Sequence, residues 1–209
     1  RKHVKVEPAR WYYYCDLLGM LVWQDMPSGD LTGGRWDSRP GIVGIAADVK
    51  RTEESEAIYR KEWNAIIDAL YNFPSIVVWV PFNEGWGQFK TSEISEWTAK
   101  KDPSRLVNSA SGGNFYYAGH IIDLHNYPEP AMPEAFLFGG KQAIVLGEFG
   151  GLGLPLPGHT WQAKNNWGYQ SYKNPEELFS RYKTFVERLQ LLIQKGLSAA
   201  VYTQTTDVE

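Results

Sequence analysis

Two glutamates stand where chemistry could be done. Each closes a short apolar run: Glu84 in IVVWVPFNEGWGQ (residues 76–88) and Glu148 in AIVLGEFGG (residues 143–151). A carboxylate placed straight after a buried strand carries a desolvation cost unless something uses it. Gly85, Gly87, Gly147, Gly150 and Gly151 clear space for a ligand to approach the backbone. Two such carboxyl groups are what a retaining glycosidase needs. One protonates the departing oxygen; the other, ionised, attacks the anomeric carbon, with about 5–5.5 Å between them. A single strand-end glutamate is more often an ion-pair partner or a helix cap. The recurrence of the pattern, with glycine and aromatic residues after both, favours catalysis. The pattern itself does not say which carboxyl group is the acid and which the nucleophile.

The remaining inventory points the same way. Nine Trp, twelve Tyr and nine Phe make up 14% of the 209 residues, more than a plain core needs, and flat apolar sugar faces stack on aromatic rings. Trp36, Trp86 and Trp161 fall in expected loops, as do Ser109, Ser111 and Asn114. The four histidines show no His-x-x-x-His spacing, so a zinc site is not expected. The single cysteine, Cys15, excludes an intrachain disulfide and reads as a buried thiol. A net charge of −3 gives no reason to expect nucleic acid or an anionic membrane as partner. No apolar run approaches the roughly 18 residues that span a bilayer.

These side chains need elements to hold them. Apolar runs that read as strands recur at HVKV near Val4, at 20–23, 76–80, 105–107, 120–123, 143–146 and 197–202. Several are continuous rather than alternating, as in strands covered on both faces of a parallel sheet. Helical patterns lie between several of them. Pro8 opens one and Gly19 closes it. Residues 52–72 carry Ile58, Trp63, Ile66, Ile67 and Leu70 on one face, behind Glu53 and Glu54. Thr91 or Ser92 is placed to cap a helix ending at Lys101. Asn174-Pro175-Glu176-Glu177 combines a cap, a first-turn proline and a capping-box glutamate, before a helix that turns Leu178, Tyr182, Phe185, Leu189 and Ile193 inward. Strands alternating with helices imply parallel β/α units. A doubly wound sheet is the alternative, but the Gly-x-Gly-x-x-Gly turn is missing after the first strand. The segment 28–51 is too long for a simple connection and reads as functional or inserted.

With Asn83-Glu84 and Glu148 in these surroundings, the chain resembles the catalytic barrel of glycoside hydrolase family 2, the β-galactosidase-like family, from Arg1 to Glu209. The resemblance implies a (β/α)8 TIM barrel in one catalytic domain, residues 1–209, and a carbohydrate substrate. It makes Glu84 the acid/base, Asn83 the ligand of the sugar 2-hydroxyl and Glu148 the nucleophile. Arg1 looks like the second-strand arginine that supports the nucleophile, and Tyr127 like the sixth-strand tyrosine that hydrogen-bonds it. Counted from Arg1, the chain would start within the second strand, so the first strand and the family's preceding β-sandwich domains are expected in a longer chain. The pattern also departs from the family. His3 stands one place off the family's histidine, which on a strand is the opposite face. Gln24-Asp25 replaces Asp-Glu after the third strand, with Asp25 a candidate sugar contact. The eighth strand reads VYTQTTDVE, so Tyr202 or Gln204 would replace the usual tryptophan. Beside these, Trp86 and Trp161 are candidates for stacking on sugar and His125 for bonding a sugar hydroxyl. No cofactor is expected. Some relatives use magnesium or sodium, but their ligands do not map onto this chain. The rival from another class is a non-catalytic carbohydrate-binding or scaffold domain. The sugar itself is left open, with galactose, glucuronic acid and mannose all hosted by this scaffold.

Overall fold

The computed structural model describes residues 1–30, 48–112, 117–133, 140–162, 164 and 168–204. Trp36, Gly113 and Asn114, and most of the long segment 28–51, lie outside the described residues. The chain forms two compact units, Arg1–Asp123 and Leu124–Glu209. Both are α/β, and the strand pairs β1–β2, β2–β3, β5–β8 and β6–β7 are all parallel.

In the first unit the elements are α1 (Ala9–Leu18), β1 (Val22–Asp25), α2 (Glu53–Leu70), β2 (Ile76–Val80), α3 (Thr91–Lys101) and β3 (Leu106–Val107). The sheet runs β1–β2–β3, with Asp25 opposite Val80 and Val78 opposite Leu106. β2 coincides with the expected apolar run. The HVKV run is not a strand: only Lys2 makes a bridge, to Gln24, and the chain then turns through His3 and Val4, where Val4 has φ 40°. The expected alternation of faces therefore does not operate there.

Helix α1 ends as its sequence demands. Gly19 takes the left-handed conformation at φ 69°, and Met20 N–H closes onto Cys15 O at 2.8 Å. Cys15 is buried as expected, and burial pushes its thiol pKa up. In α2 the buried face is Tyr59, Trp63, Ile67 and Leu70, spaced at four, four and three. Trp63, Ile67 and Leu70 lie inward as expected and Ile66 packs partly buried against the core, whereas Ile58 points outward at 50% exposure. Tyr59 was the missing member: it is amphipathic, and its hydroxyl satisfies itself on Pro81 O at 2.9 Å. Helix α3 is not capped by its own Thr91 or Ser92. Asp48 does it from outside, accepting from Thr91 N–H at 3.1 Å and from the Thr91 hydroxyl at 2.5 Å.

Asp102 ends α3 and locks the base of β2. Its buried carboxylate accepts from Trp79 Nε1 at 2.9 Å, Arg105 Nη1 at 2.5 Å and Ser104 N–H at 3.0 Å. Burial alone would raise its pKa. The hydrogen bonds from Ser104, Arg105 and Trp79 outweigh that and hold it below the ordinary carboxylate value. A carboxyl group depressed in the folded state stabilises above its unfolded pKa, and the contribution is lost as pH falls towards the folded value. Urea unfolding of Asp102→Ala should therefore show a loss of about 3–5 kcal/mol at neutral pH. That deficit should shrink as the pH is taken below about 4. A deficit that stays constant into acid would contradict this account.

Strand β4 (Ile121–His125) carries the chain into the second unit, whose other elements are β5 (Ala143–Gly150), β6 (Leu152–Gly153), β7 (Gln170–Ser171), α4 (Pro175–Gln194) and β8 (Leu197–Thr203). The strand order is β4–β5–β8, with β6 and β7 paired separately. Helix α4 starts as the sequence indicates: Asn174 Oδ1 accepts from Glu177 N–H at 2.9 Å, with Pro175 in the first turn. Its inner face is centred on Phe185 and Leu192, and Phe185 meets Phe149 of β5 edge to face. Ile193, expected inward, is 59% exposed, with Leu192 in its place.

Candidate active site

Asn83 and Glu84 follow β2 after Pro81 and Phe82. Phe82 is wedged against Tyr59, ring on ring at 5.3 Å, so the strand end is anchored before the turn begins. The turn is tight. Trp86 N–H returns to Asn83 O at 2.9 Å, and Glu84, Gly85 and Gly87 have φ of 49°, 79° and 60°. A left-handed backbone is ordinary for glycine but strained for Glu84, and such strain persists only where the surroundings impose it. Gly87 has a second reason to be glycine: a Cβ there would lie 2.5 Å from Arg51 Nη2. Arg51 holds the loop by its main chain, donating to Gly87 O at 2.7 Å and to Ser28 O, with its guanidinium over the Tyr59 and Phe89 rings. Nothing in the spacing around Arg51 marks this role.

Arg1 and Asp25 fix the Asn83 amide. The Arg1 guanidinium grips the buried Asp25 carboxylate, with Nη2 2.7 Å from Oδ2, and Nη2 also donates to Asn83 Oδ1 at 2.5 Å. Arginine only donates, so the oxygen of the amide must face it. The buried Asn83 Nδ2 then has no partner among the described residues, which makes it the donor left for a ligand acceptor. Asp25, a candidate for sugar contact, spends its oxygens on Arg1 and on Val4 N–H at 3.2 Å. Because of the turn at residues 3 and 4, His3 lies 3.8 Å from Asp25 Oδ2 and stands edge-on to Trp86, with ring centroids 5.9 Å apart. His3 therefore joins this cluster, where strand alternation had placed it on the opposite face.

The second unit builds a cluster around Glu148. This residue lies inside β5, where three steps on β5, from Leu146 to Phe149, match two on β8, from Ala200 to Tyr202. The extra residue is a bulge, the local device that re-aims a side chain out of strict alternation. The Tyr127 hydroxyl donates to Glu148 Oε2 at 2.7 Å. Its single proton is then spent, so the Thr203 hydroxyl, 2.8 Å away, donates to it. Burial first, and then the Glu148 charge, raise the Tyr127 pKa far above its ordinary value, which keeps the phenol a donor. His125 Nδ1 lies 3.3 Å from the same Glu148 oxygen.

Tyr169 stacks on Tyr127 with centroids 3.9 Å apart, and Gly151 leaves room for it: a Cβ there would meet Tyr169 Cδ2 at 2.2 Å. Of the eighth-strand residues, Thr203 reaches this network. Tyr202 packs edge-on against Phe149 and Tyr182. Trp161 is 92% exposed, and Trp86 is half-buried. The arrangement supplies a buried amide donor beside Glu84 in one unit, and in the other a carboxylate held by a phenol and an imidazole.

Residues 6–135 match the family described as glycosyl hydrolases family 2, TIM barrel domain. Among solved structures, the chain resembles an FMN-binding β-glucuronidase from Facaelibacterium prausnitzii L2-6, with TM-score 0.64 and 15% identity, over 97% of this chain and 31% of that one. A Bacteroides uniformis β-glucuronidase gives 0.61 at 16% identity, over 98% and 26%. A β-D-glucuronidase of Dictyoglomus thermophilum gives 0.60 at 14%, over 98% and 38%. At such identities the likeness is one of fold, and the chain spans between about a quarter and two-fifths of those chains. No curated protein matches the sequence.

Proposed function

Since the chain belongs to glycoside hydrolase family 2, in its TIM-barrel domain, we propose that it hydrolyses a terminal β-linked sugar by double displacement, with Glu148 as nucleophile and Glu84 as acid/base. The observation that carries this reading is Glu148 itself. It is a carboxylate in a strand bulge, with one oxygen held by a phenol that stays protonated. A hydrogen bond of that kind orients the attacking group.

In the first step Glu148 bonds to the anomeric carbon as the glycosidic C–O bond breaks, and Glu84 gives its proton to the leaving oxygen. In the second, Glu84 takes a proton from water as the water oxygen displaces Glu148, returning both carboxyl groups to their starting states. Asn83 Nδ2 would donate to the sugar 2-hydroxyl, a contact that strengthens as the transition state forms. His125, Trp86 and Trp161 are further candidates for sugar contact. The two carboxyl groups carry out the proton transfer and the attack, so the scheme draws on no cofactor. β1, β2, β3, β4, β5 and β8 are assigned as barrel strands three to eight, with the Lys2 bridge standing for the second.

The test is a panel of nitrophenyl β-glycosides, including galactosides, glucuronides and mannosides, given to the intact protein, with the first-formed anomer followed by NMR. At least one substrate should turn over, and the β-anomer should appear first. The α-anomer appearing first would rule out double displacement. Sugar binding without turnover would favour a carbohydrate-binding module instead.

A further inference from the structure

Asp123 is fully buried in the first unit and takes no part in the chemistry assigned above. Its Oδ2 accepts from the Ser111 hydroxyl at 2.6 Å and from the Asn108 side-chain amide at 2.7 Å. Burying a carboxyl group is costly, and a neutral side chain would fill the space at lower cost. What the group does becomes clear at Ser111. The Ser111 N–H donates to Phe82 O at 2.9 Å, and its carbonyl accepts from Glu84 N–H at 2.7 Å. Asn83 and Ser111 thus pair as an isolated parallel bridge. β2 ends at Val80 and β3 at Val107. The bridge therefore lies beyond the regular ladder. It brackets the one dipeptide that combines the acid/base with a strained, left-handed residue.

We propose that Asp123 is a positioning residue for Glu84. It fixes Ser111, and the Ser111 amide and carbonyl hold the Asn83-Glu84 turn in the form that presents the Glu84 carboxyl group to the glycosidic oxygen. The proposal rests on the reading of Glu84 as the acid/base. Proton donation matters in proportion to the basicity of the leaving group, so misplacing the acid harms some substrates far more than others. A general loss of folding or binding would harm all of them alike.

The test uses the intact protein and aryl β-glycosides with leaving groups of graded basicity. Asp123→Ala and Ser111→Ala should each lower kcat/KM on the most basic leaving groups by about 10–100-fold. The dinitrophenyl glycoside should change by less than about threefold. Both variants break one linkage, so the double variant should lose no more than the worse single one. Asp123→Asn keeps an acceptor oxygen and should recover most of the activity on basic leaving groups. Equal losses across the series, or additive losses in the double variant, overturn the proposal. Ser111→Ala removes a single hydroxyl, so it decides the matter if Asp123→Ala does not fold: an unchanged leaving-group profile there also overturns it. Glu84→Ala run alongside separates the two levels. If Glu84→Ala shows no leaving-group dependence, the acid/base assignment falls and the positioning role with it. If Glu84→Ala shows it and the Asp123 and Ser111 variants do not, only the positioning role falls.

Discussion

Replacing Glu148 with glycine is expected to lower turnover of aryl β-glycosides by on the order of 10⁴-fold or more, the loss typical when a covalent nucleophile is removed. Folding should survive: the variant deletes a half-buried side chain, while its carbonyl still accepts from Asn126 N–H at 3.1 Å. The space vacated beside Tyr127 could admit a small anion. Added azide should then restore part of the rate on activated substrates by attacking the anomeric carbon from the nucleophile's side, giving the α-glycosyl azide. Unchanged turnover in Glu148→Gly would overturn the assignment of the nucleophile. Lost turnover with no azide product would show only that the residue matters, so the identity of the product is the decisive measurement.

Glu84→Ala should behave differently in kind. Substrates with poor leaving groups need the proton, and their kcat/KM should fall by about 10²–10⁴-fold. A dinitrophenyl glycoside leaves without help, so its first step should proceed almost unchanged. The second step then lacks a base to activate water, and the glycosyl-enzyme should accumulate, seen as a burst followed by a low steady rate. Azide needs no base, and attacking the covalent intermediate from the opposite face it should give the β-glycosyl azide. Opposite anomers from the two variants would assign the two roles independently of any structure. Similar losses on good and poor leaving groups would contradict the role given to Glu84.

The elements that carry these residues were partly readable from residue order, because they depend on short-range physics. The run at 76–80 is a strand and nothing else. The Asn174-Pro175 pair begins a helix where it should. The misreadings arose where the deciding contact came from far along the chain. Asp48 caps α3 from 43 residues away, a partner no local pattern announces. HVKV has a strand's composition, yet the bridge falls on Lys2 just before it and the chain then turns, so counting alternate faces placed His3 wrongly. At the start of α2, Ile58 was put on the inner face that Tyr59 takes, because Tyr59 was not counted among the apolar residues, although its ring packs as one. Thr203 could have been suspected as a small hydroxyl at the end of the last strand, but its neighbour β5 carries a bulge. That bulge was invisible, because an extra residue in a strand shows only against its partner's register.

Arg51 holds the loop after β2 through carbonyl oxygens of residues 28 and 87. Every amino acid offers a carbonyl, so this clamp is blind to the side chains it secures. The clamp thus depends on the path of the main chain rather than on what the main chain carries, and it excludes a side chain only where a Cβ at Gly87 would drive into the guanidinium.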